Sequence, residues 1–193
     1  MTTEALSGAV AAVLAATLLV ACGNEKVSTP AATIIEPVPR WTLYHDTGGR
    51  FSIRFPAGWV RATQSLTPLL SDPREIVSIG TYTMRPGGEL CEHLPANALE
   101  DLGPEDAFLS IEERAAPHLA VYPARPTQFT LGKPNEEFDG VGCVRDPNDL
   151  FQWWLSFRDG DRAFYALVAL GKSASEETRQ QVLETLNSFQ VDG

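Results

Sequence analysis

The sequence predicts an α+β domain, an antiparallel β-sheet flanked by helices, and three stretches predict it. Phe51, Ile53 and Phe55 alternate with Ser52 and Arg54, the period-two pattern of a half-buried strand. Leu150–Phe157 and Arg162–Leu170 are apolar runs on either side of Asp159-Gly160, a pairing that signals a tight hairpin because such a turn needs positive φ. Ser173-Ala-Ser-Glu176 then reads as a capping box, with Ser173 as N-cap. The helix after it carries Val182, Leu183, Leu186 and Phe189 on one stripe.

From the N-terminus, the first feature is an uncharged apolar run, Ala9–Ala21. It is shorter than the ~20 residues a membrane-spanning helix needs and has the length of a signal-peptide core. The run closes on Leu19-Val20-Ala21-Cys22, which resembles the bacterial lipobox. That resemblance implies lipidation of Cys22 and cleavage just before it, with residues 1–21 as the signal peptide. The leading segment departs from the usual pattern, since it has no Lys or Arg and contains Glu4. An uncleaved anchor helix or a buried N-terminal helix is the alternative. Residues 22–40 are small, polar and proline-broken, and read as a flexible linker. The folded domain is expected over 41–193.

Within that domain, Pro56-Ala-Gly-Trp59 turns the chain after the first strand, and Glu75–Met84 forms a second β-rich run stopped by Arg85-Pro-Gly-Gly88. Ala96–Leu102 is a short helical piece. Ala107–Glu113 alternates again, with Ala107, Leu109 and Ile111 together. Pro117–Pro126 reads as an extended loop, Gln128–Leu131 as a short strand, and Gly132–Phe138 as an exposed polar turn. In Arg162–Leu170 both faces are apolar, so the strand is central in its sheet and layers pack on both sides.

Length and charge bound the function. A chain of 193 residues holds one ordinary domain, not two full ones. A formal net charge of −10 argues against a nucleic-acid partner, whose phosphates demand clustered cations. With 44% apolar residues against 21% charged, the composition is that of a globular chain, not a disordered acidic tail.

Two segments at opposite ends of the domain, FSIRFPAGW and RAFYALVALGKSASEETRQQVLETLNSF, resemble the entry and the closing strand-glycine-helix of the PsbP-like superfamily. GPEDAFLSIEER, YPARPTQFTL and FRDGDRAFYALVALG also resemble uncharacterised secreted lipoproteins of high-GC Gram-positive bacteria. The resemblance implies an α/β/α sandwich used as a binding or assembly module and supplies no shared catalytic residues. The stretch from Leu94 to Gly142 fits the photosystem subunits of the superfamily poorly, so no partner surface is inherited there.

Catalytic signatures are mostly missing. Leu167-Val-Ala-Leu-Gly-Lys-Ser173 sits where a phosphate loop would, but its first required glycine is Ala166 and the intervening residues are apolar strand. No GxSxG elbow occurs, and His45, His93 and His118 lack paired spacing. Cys91-Glu-His93 with Cys143 offers metal-ligand atoms but no fourth ligand, and the acids from Glu136 to Asp149 lack calcium-loop spacing. No metal and no cofactor is expected. With Cys22 taken by lipid, Cys91 and Cys143 remain in an oxidising compartment and are expected to form a disulfide; two separate buried thiols are the alternative. Trp153 and Trp59 read as packing residues, and Trp41, Tyr122 and Trp154 as the aromatics that could face a ligand.

The functional expectation is a non-enzymatic binding or assembly module, lipid-anchored on the extracytoplasmic face of the membrane, whose partner is an envelope protein or wall component. A small-ligand carrier with a pocket between the sheet and the Pro117–Pro126 loop is the alternative, and a hydrolase built from scattered residues is a more distant one.

Overall fold

The structure is a computed structural model that describes residues 40–88, 94–135 and 149–192. The segments expected to be a signal peptide and linker (up to residue 39), with Cys22, Cys91, His93, Cys143 and the acids between Glu136 and Asp146, lie outside the described residues, as does the side chain of His118. Val38–Gly193 forms one compact unit. Among the described residues, no helix is long and apolar enough to cross a membrane.

The chain order is β1 (Trp41–Asp46), β2 (Phe51–Pro56), β3 (Val60–Arg61), β4 (Arg74–Gly80), α1 (Ala96–Asp101), β5 (Ala107–Arg114), a 3₁₀ turn (Ala116–Val121), β6 (Leu150–Asp159), β7 (Arg162–Gly171), α2 (Glu176–Ser188) and β8 (Gln190–Val191). The architecture is α+β, with two antiparallel sheets where the sequence suggests one. The small sheet runs β1-β2-β8, and the large one β3-β4-β5-β7-β6.

Both faces of the large sheet are covered. One core layer joins Val77, Ile79, Leu109, Ile111 and Val168 to Phe51, Ile53 and Phe55 of β2 and to Val182, Leu186 and Phe189 of the α2 region. The other face carries Phe108, Leu167 and Ala169 under Leu66, Leu94 and α1 residues Ala98 and Leu99. β7 is therefore interior and doubly buried, as its two apolar faces predict, although β5 and not β7 holds the middle of the five strands. On α2, Thr185 is buried in the stripe where Leu183 is only half-buried.

The β6–β7 hairpin closes with Asp159 opposite Arg162, and Gly160 at φ +61° takes the first turn position, which a side chain would resist. Gly171 ends β7 at a crossing: a Cβ there would collide with the carbonyl oxygens of Gly103 and Pro104.

Four local expectations are corrected. The N-cap of α2 is Ser175, whose Oγ accepts from Thr178 N at 3.0 Å; Ser173 N is still donating to Pro104 O, so the chain has not yet turned into the helix. β4 stops at Gly80, not Met84, because the Thr81 hydroxyl hooks Asp106 Oδ1 at 2.6 Å and accepts from Ala107 N. The Pro117–Pro126 loop starts as a 3₁₀ turn with proline in its first positions, where the missing N–H costs nothing. Gln128–Leu131 is not a strand: Phe129 N donates to the Asn187 side chain, so this segment is held by a helix and not by a neighbouring strand.

Candidate functional site

Three sequence-predicted aromatics lead to two surfaces. Tyr122 and Trp154 come together on the outer face of the large sheet, each packed against Tyr165, Tyr122 edge-on at 5.1 Å between ring centroids and Trp154 tilted at 4.8 Å. Trp41 lies elsewhere, at the start of the small sheet's edge strand. Tyr122 is only 6% exposed, and its phenol is pushed above its ordinary range by burial and by its hydrogen bond with Tyr165. These rings pack against one another and form a cover for the sheet.

Beneath that cover lies a polar group that the sequence reading did not single out. Glu112 alternates to the outer face of β5, opposite Tyr165 of β7 and Glu75 of β4. It is 1% exposed, and neither carboxyl oxygen has a hydrogen-bond partner. Burial, reinforced by the Glu75 charge and only partly offset by Arg114, pushes its carboxyl up to about 8, so it is held protonated at neutral pH.

Glu75 reaches this face because β4 bulges at Ile76, placing Glu75 opposite Glu112 while Val77 resumes the register opposite Ile111. Without the extra residue, Glu75 and Ser78 would point to opposite faces. With it, Ser78 Oγ donates to Glu75 Oε1 at 2.7 Å and lies 2.9 Å from Ser110 Oγ. Glu75 Oε2 accepts from the backbone N–H groups of Leu66 and Thr67 and from the Ser65 hydroxyl, which clasps the β3–β4 loop onto the sheet. The Ser78 hydroxyl does pair with the Glu75 carboxylate, but Ser78 is 1% exposed and Glu75 is engaged by the loop clasp, so the pair offers a substrate no approach. Among the described residues, no three His, Cys, Asp or Glu side chains are grouped to hold a metal.

The second surface is a groove of about 450 Å³, within the usual range of ligand sites. Trp41 and Leu43 share one face of β1, and Arg54 and Ser52 of β2 lie opposite Leu43 and His45 in register. Gln180, Glu184, Asn187 and Ser188 line it from α2, on positions that recur along one helix face, joined by Gln128 and Gln190.

The groove's frame is fixed by long-range bonds. Ser188 Oγ accepts from Arg54 N at 2.8 Å, tying β2 to the end of α2. Asn187 Oδ1 accepts from Phe129 N at 2.7 Å, and Arg125 donates to Asn187 O and pairs with Asp159 at 3.1 Å. Against this frame Leu43 stands 65% exposed. Gln180 Nε2 donates to Glu184 Oε1 at 3.2 Å, so the groove presents one acid braced by an amide and one guanidinium, Arg54. Apart from Trp41, none of these residues was identifiable beforehand, because β2 and the end of α2 meet across most of the chain.

Comparison of the chain with family models, with curated proteins and with solved structures finds no match.

Proposed function

We propose that the protein is a lipid-anchored, extracytoplasmic binding module of PsbP-like α/β/α architecture, and that it binds its envelope partner through the Trp41 groove. The single observation carrying the binding role is that groove: a half-buried indole and an exposed leucine on β1, set between the small sheet and α2 and ringed by hydrogen-bonding side chains. The lipobox-like Leu19–Cys22 supports the anchor, and the FPAGW turn with its strand-glycine-helix ending supports the fold family. The same reading includes a Cys91–Cys143 disulfide, which would close a loop of about 50 residues and contribute roughly 4 kcal/mol in the chain-entropy model.

The carrier alternative is less well supported. It asks for an apolar pocket at Tyr122 and Trp154, and those two rings are spent on Tyr165. A hydrolase finds a buried acid in Glu112, but that acid hydrogen-bonds to neither nearby serine, and Ser78 and Ser110 are both buried away from any substrate.

Site-specific photo-crosslinking in cells tests the binding role. A photoreactive residue at Leu43, in the groove, is expected to give a discrete adduct. The same residue at Leu69, 84% exposed on the β3–β4 loop and outside the groove, is expected to give none. Equal labelling from both positions, or none from Leu43, would remove the groove from the account.

A further inference from the structure

We infer that the Trp41 groove takes a polyhydroxylated glycan segment, an inference that rests on the binding role proposed above and names its ligand class. The lining chemistry selects among ligands. An apolar molecule would need an enclosed apolar wall, but among the described residues only Trp41 and Leu43 are apolar side chains lining the groove. A polyanion would need clustered cations, but among the described residues Arg54 is the one cation lining the groove, Glu184 offsets it, and the whole chain carries −10.

A peptide added as a strand would use the main-chain edge of β1 and alternating side-chain pockets. The groove instead lies over a sheet face and offers side-chain groups. Four carboxamides line it, from Gln128, Gln180, Asn187 and Gln190, and each such group both donates and accepts. That is the requirement of a sugar's hydroxyls, which also do both. The C–H face of a pyranose ring matches the indole and leucine platform. Gln180, Gln190 and Gln128 are all exposed, so their amides meet a ligand without first breaking core contacts.

The test is a titration of the purified full chain, followed by the indole N–H resonance of Trp41 and the methyl resonances of Leu43. The probes are chitotetraose, cellotetraose and tetra-alanine. Chitotetraose or cellotetraose is expected to shift these resonances saturably, and Trp41→Ala to weaken that binding about tenfold or more. Because Trp41 also opens β1, the double variant Gln180→Ala/Gln190→Ala provides a second reading from exposed side chains: it is expected to weaken sugar binding about tenfold with an unchanged melting temperature. Sugar binding indifferent to both variants would place the sugar elsewhere and overturn the inference. Shifts with tetra-alanine alone would overturn the glycan class while leaving the binding role standing. No shift with any probe, together with no crosslink from Leu43, would overturn both.

Discussion

Val168→Asp is expected to abolish cooperative folding. Val168 is fully buried, lies opposite Leu109 and Trp153 in the sheet, and belongs to the core layer shared with β2 and α2. The described residues of that layer are apolar, so a carboxylate there meets no cation or donor among them, and leaving a charge unpaired in the interior costs several kcal/mol. Total stabilities are only about 5–15 kcal/mol, so one such charge consumes much of the margin. Circular dichroism during thermal unfolding should show no sharp transition for the variant, and the protein should collect in the insoluble fraction. A soluble variant with a cooperative transition near that of the parent would mean that β7 is not enclosed on this face.

Glu112→Gln carries the second large effect, and its sign depends on pH. The folded protein holds the Glu112 proton up to about pH 8, whereas the unfolded chain releases it near the ordinary value of 4.5. Between these values the folded state binds more protons, so this group makes the parent lose stability as pH rises, by up to about 1.4 kcal/mol per unit. Glutamine fills the same space without a charge to desolvate. The variant and the parent should therefore be similar near pH 4.5, and the variant should be more stable by a few kcal/mol near pH 8. Contributions from titrating groups that do not interact with Glu112 are common to both proteins and cancel in the difference. Denaturant unfolding at a series of pH values measures that difference directly, and parallel curves would show that Glu112 is not buried as described.

Glu112 also shows where sequence reading reaches and where it stops. Alternation in Ala107–Glu113 correctly assigns Ala107, Leu109 and Ile111 to one face, which leaves Phe108, Ser110 and Glu112 on the other. The two apolar faces of β7 already require cover on both sides, so a strand adjacent to β7 would bury its Glu112. Knowing that β5 is that neighbour is the missing step, and local periodicity does not encode strand order. The β6–β7 hairpin was legible because its whole signal, an aspartate-glycine pair between apolar runs, is local.

Ser173 and Ser175 differ in no intrinsic propensity for the cap. The Ser173 N–H bond to Pro104 O decides between them, and that bond comes from 69 residues away, between positions 104 and 173. The groove is the extreme case, since Arg54 and Ser188 are separated by 134 residues. Among its lining residues, only Trp41 stood out in the sequence, as a large aromatic at the point where the linker composition ends.

The claim of a membrane-tethered, extracytoplasmic module is tested most directly by the intact mass of protein extracted from membranes with detergent. The account predicts a chain that begins at Cys22 and carries a diacylglyceryl group, the two-chain anchor that stable attachment requires. It also predicts a mass lower than that of the reduced form by the two hydrogens that a Cys91–Cys143 bridge removes. A chain that still begins at Met1, carries no lipid and is recovered equally from the soluble fraction would contradict the account.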